Sequence, residues 1–206
     1  MSSWWSKHVV GKVIRCGCRR PELMAARHHV LGLARGDVFE LGCGDGINIP
    51  LLNAAAISSY TAIEPDPDLR QSAQMVLASS DLTGHICHGY GEDIPFADAS
   101  FDTVLCTFTL CSVHTPKTVL SELRRILKPD GQLLYAEHGL APDPAVQKWQ
   151  RRIDPLSTRL LGNCHMSREI SQSFINNGFE THCLGAEYAN SLPSYAGWIE
   201  WGIAKP

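Results

Sequence analysis

Val38-Phe39-Glu40-Leu41-Gly42-Cys43-Gly44-Asp45-Gly46 reads as a buried strand running into a glycine-rich turn. Val38, Phe39 and Leu41 suit a parallel strand covered on both faces. The glycines let the backbone turn sharply and come close to a ligand. A helix pattern follows from about Ile47. Strand, glycine loop and helix together make the ligand-binding corner of a doubly wound α/β fold. The dinucleotide fingerprint G-x-G-x-x-G fails, because Ile47 stands where its third glycine belongs, and no Walker lysine follows.

The rest of the chain bounds what this corner can serve. The 206 residues suffice for one domain with a full core. With 44% apolar and 19% charged residues, the composition is that of a soluble globular protein. A net charge of −3 gives no global reason to expect nucleic-acid binding. No apolar run approaches the roughly 20 residues of a membrane span, and no signal-peptide core is visible, so the expected compartment is the cytoplasm. Eight dispersed cysteines then read as free thiols rather than disulfides. Cys16-Gly17-Cys18 lacks the second pair that a structural zinc needs, so no metal is expected.

The chain divides into a preface, a sheet and an insertion. Residues 1–35 form an N-terminal helical cap. Trp5, Val9 and Val13 recur at helical spacing beside Val10 and Ile14, while Lys7, Lys12, Arg15, Arg19 and Arg20 make this stretch basic. Such a helix either caps the active site or lies on an anionic membrane surface. A second helix, about Pro21–Leu33, stops at Arg35-Gly36. After the glycine loop, Asn48-Ile49-Pro50-Leu51-Leu52 begins a helix, and Tyr60–Glu64 is the second strand. Glu64 ends it 18 residues after Gly46, where an acid accepts hydrogen bonds from ribose hydroxyls. Pro65 and Pro67 bracket a turn, and Asp68 is the expected N-cap of a helix buried through Leu69, Ala73, Val76 and Leu77.

His85–Tyr90 and Ser100–Cys106 are the third and fourth strands. Pro116 opens a helix whose buried stripe is Val119, Leu123, Ile126 and Leu127, with Glu122, Arg124 and Arg125 on a solvated face. Lys128-Pro129-Asp130-Gly131 stops it with turn chemistry. Gln132–His138 is the fifth strand, residues 139–178 an insertion, and Glu180–Tyr188 and Trp198–Ala204 the last two strands. No linker is visible, so residues 1–206 are expected to form a single domain.

These landmarks carry a resemblance. E-x-G-x-G-x-G from Glu40, Glu64 after the second strand, Gly91-Glu92-Asp93-Ile94-Pro95-Phe96, Ser100-Phe101-Asp102-x-Val104, and L-x-x-I-L-K-P-D-G-x-L-L-Y from Leu123 to Tyr135 resemble the class I S-adenosyl-L-methionine (SAM) methyltransferases. The resemblance implies a Rossmann-like seven-stranded α/β sheet, six strands parallel and strand seven antiparallel, with helices on both faces. It implies SAM as cofactor and S-adenosyl-L-homocysteine as product. An acid near the loop favours a sulfonium and an amino acid rather than a phosphate. Carried over by position, the cofactor site is Glu40, Gly42, Cys43, Gly44, Gly46, Asn48, Glu64, Pro65, Gly91, Glu92, Asp93, Thr107 and Phe108. Where the family often has Asp, this chain has Tyr90, which leaves the adenine amino contact to backbone groups at Gly91 or Glu92. Thr109-Leu110-Cys111-Ser112-Val113, Glu137-His138 and Gly162-Asn163-Cys164-His165 are similar to the alkyl thiol methyltransferases among mammalian methyltransferase-like proteins.

Methyl transfer from a sulfonium is an in-line displacement that mainly requires alignment. A thiol, with a pKa near roughly 8.5, needs little help to ionise. The expected acceptor is therefore a small soft nucleophile, most of all a thiol. The alternatives are a phospholipid amine head group, which would use the basic N-terminal helix in peripheral membrane contact, and a non-catalytic SAM-binding regulator. His138 is a candidate base or orienting group, or else a hydrogen-bonded loop histidine. Cys164 and His165 either meet substrate, bind a soft metal or are structural. Arg152 either holds a substrate anion or pairs with Asp154. Trp149 and Trp201 wall an apolar pocket or belong to the core.

Overall fold

The computed structural model describes residues 19–160 and 163–206. The expected first helix, its basic face and Cys16-Gly17-Cys18 lie outside the described residues, apart from Arg19 and Arg20. Described elements begin with α1 (Pro21–Leu31) and β1 (Gly36–Leu41), then β2 (Ile57–Ile63), α2 (Pro67–Ala78), β3 (Gly84–Cys87) and β4 (Phe101–Thr107). They continue with α3 (Pro116–Ile126), β5 (Leu127–His138), α4 (Pro144–Leu160), α5 (Ile170–Asn176), β6 (Glu180–Tyr188), the single turn α6 (Ser194–Gly197) and β7 (Trp198–Lys205).

The strands form one sheet in the order β3-β2-β1-β4-β5-β7-β6. β1 pairs in parallel with β2 and β4, while β7 runs antiparallel to both β5 and β6. Side chains alternate between the two faces, as the pleat requires. Val38, Leu105 and Leu134 join one buried cluster, with Leu23 and Val30 of α1. Their neighbours Phe39, Val104 and Leu133 join the other, with Leu120 and Leu123 of α3. Trp201 belongs to the first cluster and stacks on His29 at 5.1 Å, so it is core and not a pocket wall. No helix among the described residues is long and apolar enough to cross a membrane.

Several local expectations are corrected. The helix expected from Ile47 is replaced by two 3₁₀ turns, Ile49–Leu51 and Ala54–Ala56. Asn48 turns its side chain inward to buried partners, Pro50 supplies no N–H, and Asn53 Oδ1 accepts from Ala55 N to start the second turn. The N-cap of α2 is Asp66, not Asp68, because Pro67 takes the first helical position; Asp66 Oδ1 accepts from Asp68 N and Leu69 N at 2.9 and 3.0 Å. α1 stops earlier than expected, at the Gly32 cap.

The Lys128–Gly131 stretch is no free turn. β5 starts at Leu127, and its register jumps from Phe101↔Leu127 to Thr103↔Gln132, so the stretch bulges out of the strand. Lys128 Nζ pins the bulge to Asp102 and Asp37 at 2.8 and 3.2 Å. Arg125 is not merely solvated either: it bonds Glu122, Asp98 and the carbonyls of Ile94 and Phe96.

Candidate active site

The sheet order reverses between β1 and β4, and in open α/β sheets a crevice opens at the carboxyl ends of such strands. A cavity of about 380 Å³ lies there, in the size range of small-molecule sites. Of the residues expected to hold the cofactor, Glu40, Gly42, Cys43, Gly44, Glu64, Pro65, Gly91, Glu92, Thr107 and Phe108 line it. Tyr90, Thr109, Ser112, Val113 and His114 complete much of the wall.

The glycine loop shapes one side. Gly42 N and Cys43 N both donate to Ile63 O, which folds the loop back onto the end of β2. Gly44 has φ +56, and a Cβ placed on it would meet nothing within 4 Å. Its amide donates to Glu64 Oε2 at 2.9 Å, and Asp66 N donates to Glu64 Oε1 at 3.0 Å. The Glu64 carboxylate is thus aimed by two backbone amides, while burial raises its pKa.

Beneath the cavity lies a buried polar network drawn from α1, β1, the start of the first 3₁₀ turn, β2 and β4. Asn48 Nδ2 donates to Glu40 Oε1 at 2.8 Å and to Thr107 Oγ1 at 2.9 Å. Tyr60 OH donates to Glu40 Oε2. Arg27 Nη1 donates to Asn48 Oδ1 and Thr107 Oγ1 at 2.7 and 2.5 Å, and the guanidinium lies 4.8 Å from the Phe108 ring centre. Burial pushes Glu40 up, against the pull of Tyr60, Asn48 and Arg27. Phe108 itself adopts φ +50, a conformation that non-glycine residues seldom take and that clusters at functional sites.

Three expected cofactor residues stand elsewhere. Asn48 is fully buried in the network under the floor. Gly46, at φ +83, is a packing glycine whose Cβ would press on Ala73, Ile49 and Val76. Asp93 is exposed and closes a backbone bridge with Tyr90. Cys43 lines the cavity as a neutral thiol, its pKa raised by burial and by Glu40 and Glu64.

The expected catalytic residues are separated from the cavity by one layer. His138 packs edge-on behind Phe108, ring centroids 5.0 Å apart, and its Nδ1 is buried without a partner among the described residues. Burial, with Arg27 nearby, lowers its pKa to about 4, so the imidazole is neutral. Its chain neighbour Glu137 is fully buried and raised to about 7 by burial, against hydrogen bonds from backbone amides. Cys164 and His165 come together as expected, but behind the 109–114 loop. The Cys164 side chain lies beside that of Cys111, and His165 N donates to Cys111 O at 2.9 Å. His165 Nδ1 lies 3.7 Å from Asp154 Oδ2; its pKa is lowered by burial and by Arg168. Asp154 is engaged with Met166 N and Ser167 Oγ, whereas Arg152 lies over the exposed Trp149 ring at 5.6 Å; neither Arg152 nor Trp149 reaches the cavity.

Arg27 and His114 are the wall residues that sequence reasoning passed over. Arg27 carried a signal: it interrupts the buried stripe of Leu23, Ala26, Val30 and Leu31 on α1. A cation on such a stripe must find buried partners.

The cavity suits a cationic, nucleoside-bearing ligand. Four carboxylates line it, at Glu40, Asp45, Glu64 and Glu92, and no lysine does among the described residues. Glu64 offers an acceptor pair, and the bare Gly44 backbone leaves room for close approach. Among the described residues no group of three or more His, Cys, Asp and Glu is placed to hold a metal.

Residues 39–135 match the family model of a methyltransferase domain. The thiol S-methyltransferase TMT1B of Rattus norvegicus is 34% identical over 136 residues, covering 64% of this chain and 55% of that protein. The thiol S-methyltransferase TMT1A of Homo sapiens is 30% identical over 139 residues, with the same coverages. The chain therefore spans little more than half the length of these relatives. The demethylmenaquinone methyltransferase of Clavibacter sepedonicus is 30% identical over 61% of this chain and 50% of its own. Among solved structures, the YcgJ protein of Bacillus subtilis superposes with a TM-score of 0.68 at 15% identity, over 88% of this chain and 94% of its own. A SAM-dependent methyltransferase of Thermotoga maritima, described as a possible histamine N-methyltransferase, gives 0.67 at 19% identity, over 97% and 96%. The structural likeness speaks for the fold, the sequence match for the domain, and the acid-lined crevice for the ligand: residues 39–135 are a methyltransferase domain set in the Rossmann-like fold, with SAM as cofactor.

Proposed function

We propose that this protein transfers the methyl group of SAM to the sulfur of a small thiol, in the cytoplasm. The observation that carries the reading is the state of the acids around the cavity. Glu40 is taken up by Tyr60 and Asn48, Glu64 by Gly44 and Asp66, Asp45 by Arg19, and Glu92 by Thr115 N. On the wall that follows β4, Phe108 to His114, the one titratable side chain lining the cavity is His114. Such a wall has no strong base for an alcohol, but a thiol ionises near neutral pH with modest help. The thiol S-methyltransferases among the relatives support the same acceptor class.

Bound SAM supplies an electrophilic methyl on a good neutral leaving group. The chain's own residues bind and orient. Gly44 and Glu64 hold the nucleoside end, and Glu92 with the backbone around Gly91 lies on the adenine side. Phe108 is held in the cavity wall by Arg27 and His138. Neutral His138 serves as a support for Phe108, and Cys164 and His165 support the wall from behind.

The test is methyl transfer from labelled SAM to a panel of small thiols, amines and phospholipid vesicles, with Gly44→Arg as the dead control. At φ +56 and with open space beyond its Cα, that substitution fills the cavity. Transfer to thiols alone is expected. Transfer to vesicles alone would reassign the protein to lipid amines, and binding of SAM with no transfer to any acceptor would make it a regulator.

A further inference from the structure

We propose that Glu137 and Arg168 are positioning residues that grip the 109–114 loop from its two sides and so set one wall of the methyl-transfer site. The proposal rests on the methyl-transfer reading above. The loop contributes Thr109, Ser112, Val113 and His114 to the cavity, yet it belongs to no helix or strand. Its backbone groups must therefore find partners outside regular structure.

They find them in two places. On the donor side, Thr109 N and Leu110 N both bond Glu137 Oε1 at 2.8 Å, and Cys111 N reaches Oε2 at 3.4 Å. On the acceptor side, the end of the insertion takes every carbonyl from Leu110 to Val113. Arg168 Nη1 donates to Leu110 O and Nη2 to Val113 O at 2.7 Å. His165 N donates to Cys111 O at 2.9 Å and Asn163 Nδ2 to Ser112 O at 2.8 Å. The 139–178 insertion and β5 thus close on residues 109–113 between them.

The two charges are not there to neutralise one another. Among the described residues neither Glu137 nor Arg168 makes an ion pair; Arg168 bonds loop carbonyls and Glu137 bonds loop amides, with the Cys106 thiol as its one further donor. Burying a carboxylate without a cation is costly, and a neutral residue packed at the same place would avoid that cost. What the carboxylate adds is two acceptor oxygens fixed on the rigid end of β5, aimed at three successive amides. Other titratable or charged groups facing it are Cys106 of β4, whose Sγ is 3.4 Å away, Cys111 of the loop, and Cys164 and Arg168 of the insertion. Even protonated, the carboxyl keeps one oxygen free to accept from both Thr109 N and Leu110 N, with its O–H on the other oxygen. Releasing the loop would return Glu137 to solvent and to its ordinary, lower pKa, so the grip is strongest with the carboxyl protonated and loosens as pH rises through about 7.

The test uses the full chain with Glu137→Gln, Arg168→Lys and Arg168→Met. Three readouts are taken: amide-exchange protection factors at Thr109, Leu110 and Cys111, SAM affinity by calorimetry, and steady-state kinetics on a thiol. Glu137→Gln is expected to lower protection at those amides on the order of ten-fold or more, as a local opening would. It should lower kcat on the order of ten- to a hundred-fold, the penalty of a misplaced wall, while the SAM dissociation constant moves by no more than about three-fold. Arg168→Lys should recover part of what Arg168→Met loses. In the parent protein, protection should step downward across pH 7, and Glu137→Gln should lack the step. Unchanged protection in Glu137→Gln, or lost protection with unchanged kcat, would overturn the proposal. If Glu137→Gln does not fold, the parent's protection step decides. If no acceptor is ever methylated, the functional reading falls while the exchange data still judge the grip.

Discussion

Glu64 shows how much one acid can carry. Its two oxygens accept from Gly44 N and Asp66 N, which fixes the carboxylate plane before any ligand arrives. Replacing Glu64 with Ala is expected to weaken SAM binding by about 1.5–3 kcal/mol, the worth of charge-assisted hydrogen bonds; unchanged affinity in calorimetry would remove Glu64 from the site. Its place on the cavity wall was legible because it follows from a spacing after the glycine loop that any doubly wound fold must keep. Arg27 was not. Its partners Asn48 and Thr107 stand 21 and 80 residues away, and no local pattern announces them. His138 was legible as a residue at a strand end but not as a buried neutral one, because desolvation is set by Phe108 and the neighbouring strands rather than by its own sequence context.

Strands were read better than the connections between them. A buried parallel strand is marked by its own apolar run, whereas a connection depends on what it must span. The stretch from Ile47 to Ala56 has helical spacing, but inward-turned Asn48 and the capping side chain of Asn53 break it into two short turns. The bulge in β5 likewise follows from Lys128 finding Asp37 and Asp102 on neighbouring strands. β3 gives a direct test of close packing between elements. A Cβ on Gly84 would fall 1.8 Å from Tyr60 O, the backbone of β2. Gly84→Ala must pry β3 from β2, its one neighbour among the described strands. We expect a loss of stability of about 1–3 kcal/mol, read as a lower urea midpoint with the SAM-dependent stabilisation retained. A midpoint equal to the parent's would show that β3 and β2 do not approach so closely.

The whole sheet was legible because its order follows from few rules: parallel strands joined by right-handed crossovers, reversal at β1, and a final antiparallel strand. The insertion was not, since residues 139–178 follow no such rule and their contacts with the 109–114 loop arise only when the sheet has closed. One feature of that closed molecule reaches beyond the site. Glu137 and His138 are consecutive, and their ionisation is displaced in opposite directions, Glu137 from 4.5 to about 7 and His138 from 6.5 to about 4. Each displacement is worth roughly 3 kcal/mol. The raised carboxyl favours the native state at low pH, fully below 4.5, and that advantage is lost as pH rises through about 7. The lowered imidazole favours the native state at high pH, fully above 6.5, and that advantage is lost as pH falls through about 4. Between those limits folding gains a proton at one residue and gives one up at the next. Glu137→Gln should therefore gain stability relative to the parent as pH rises from 4.5 to 7, and His138→Asn should lose it as pH rises from 4 to 6.5; urea titrations showing differences independent of pH would refute both. The adjacent pair is a proton exchange closed on itself, which lets the protein bury two ionisable groups beside its catalytic crevice while their combined demand on the solvent's acidity stays near zero.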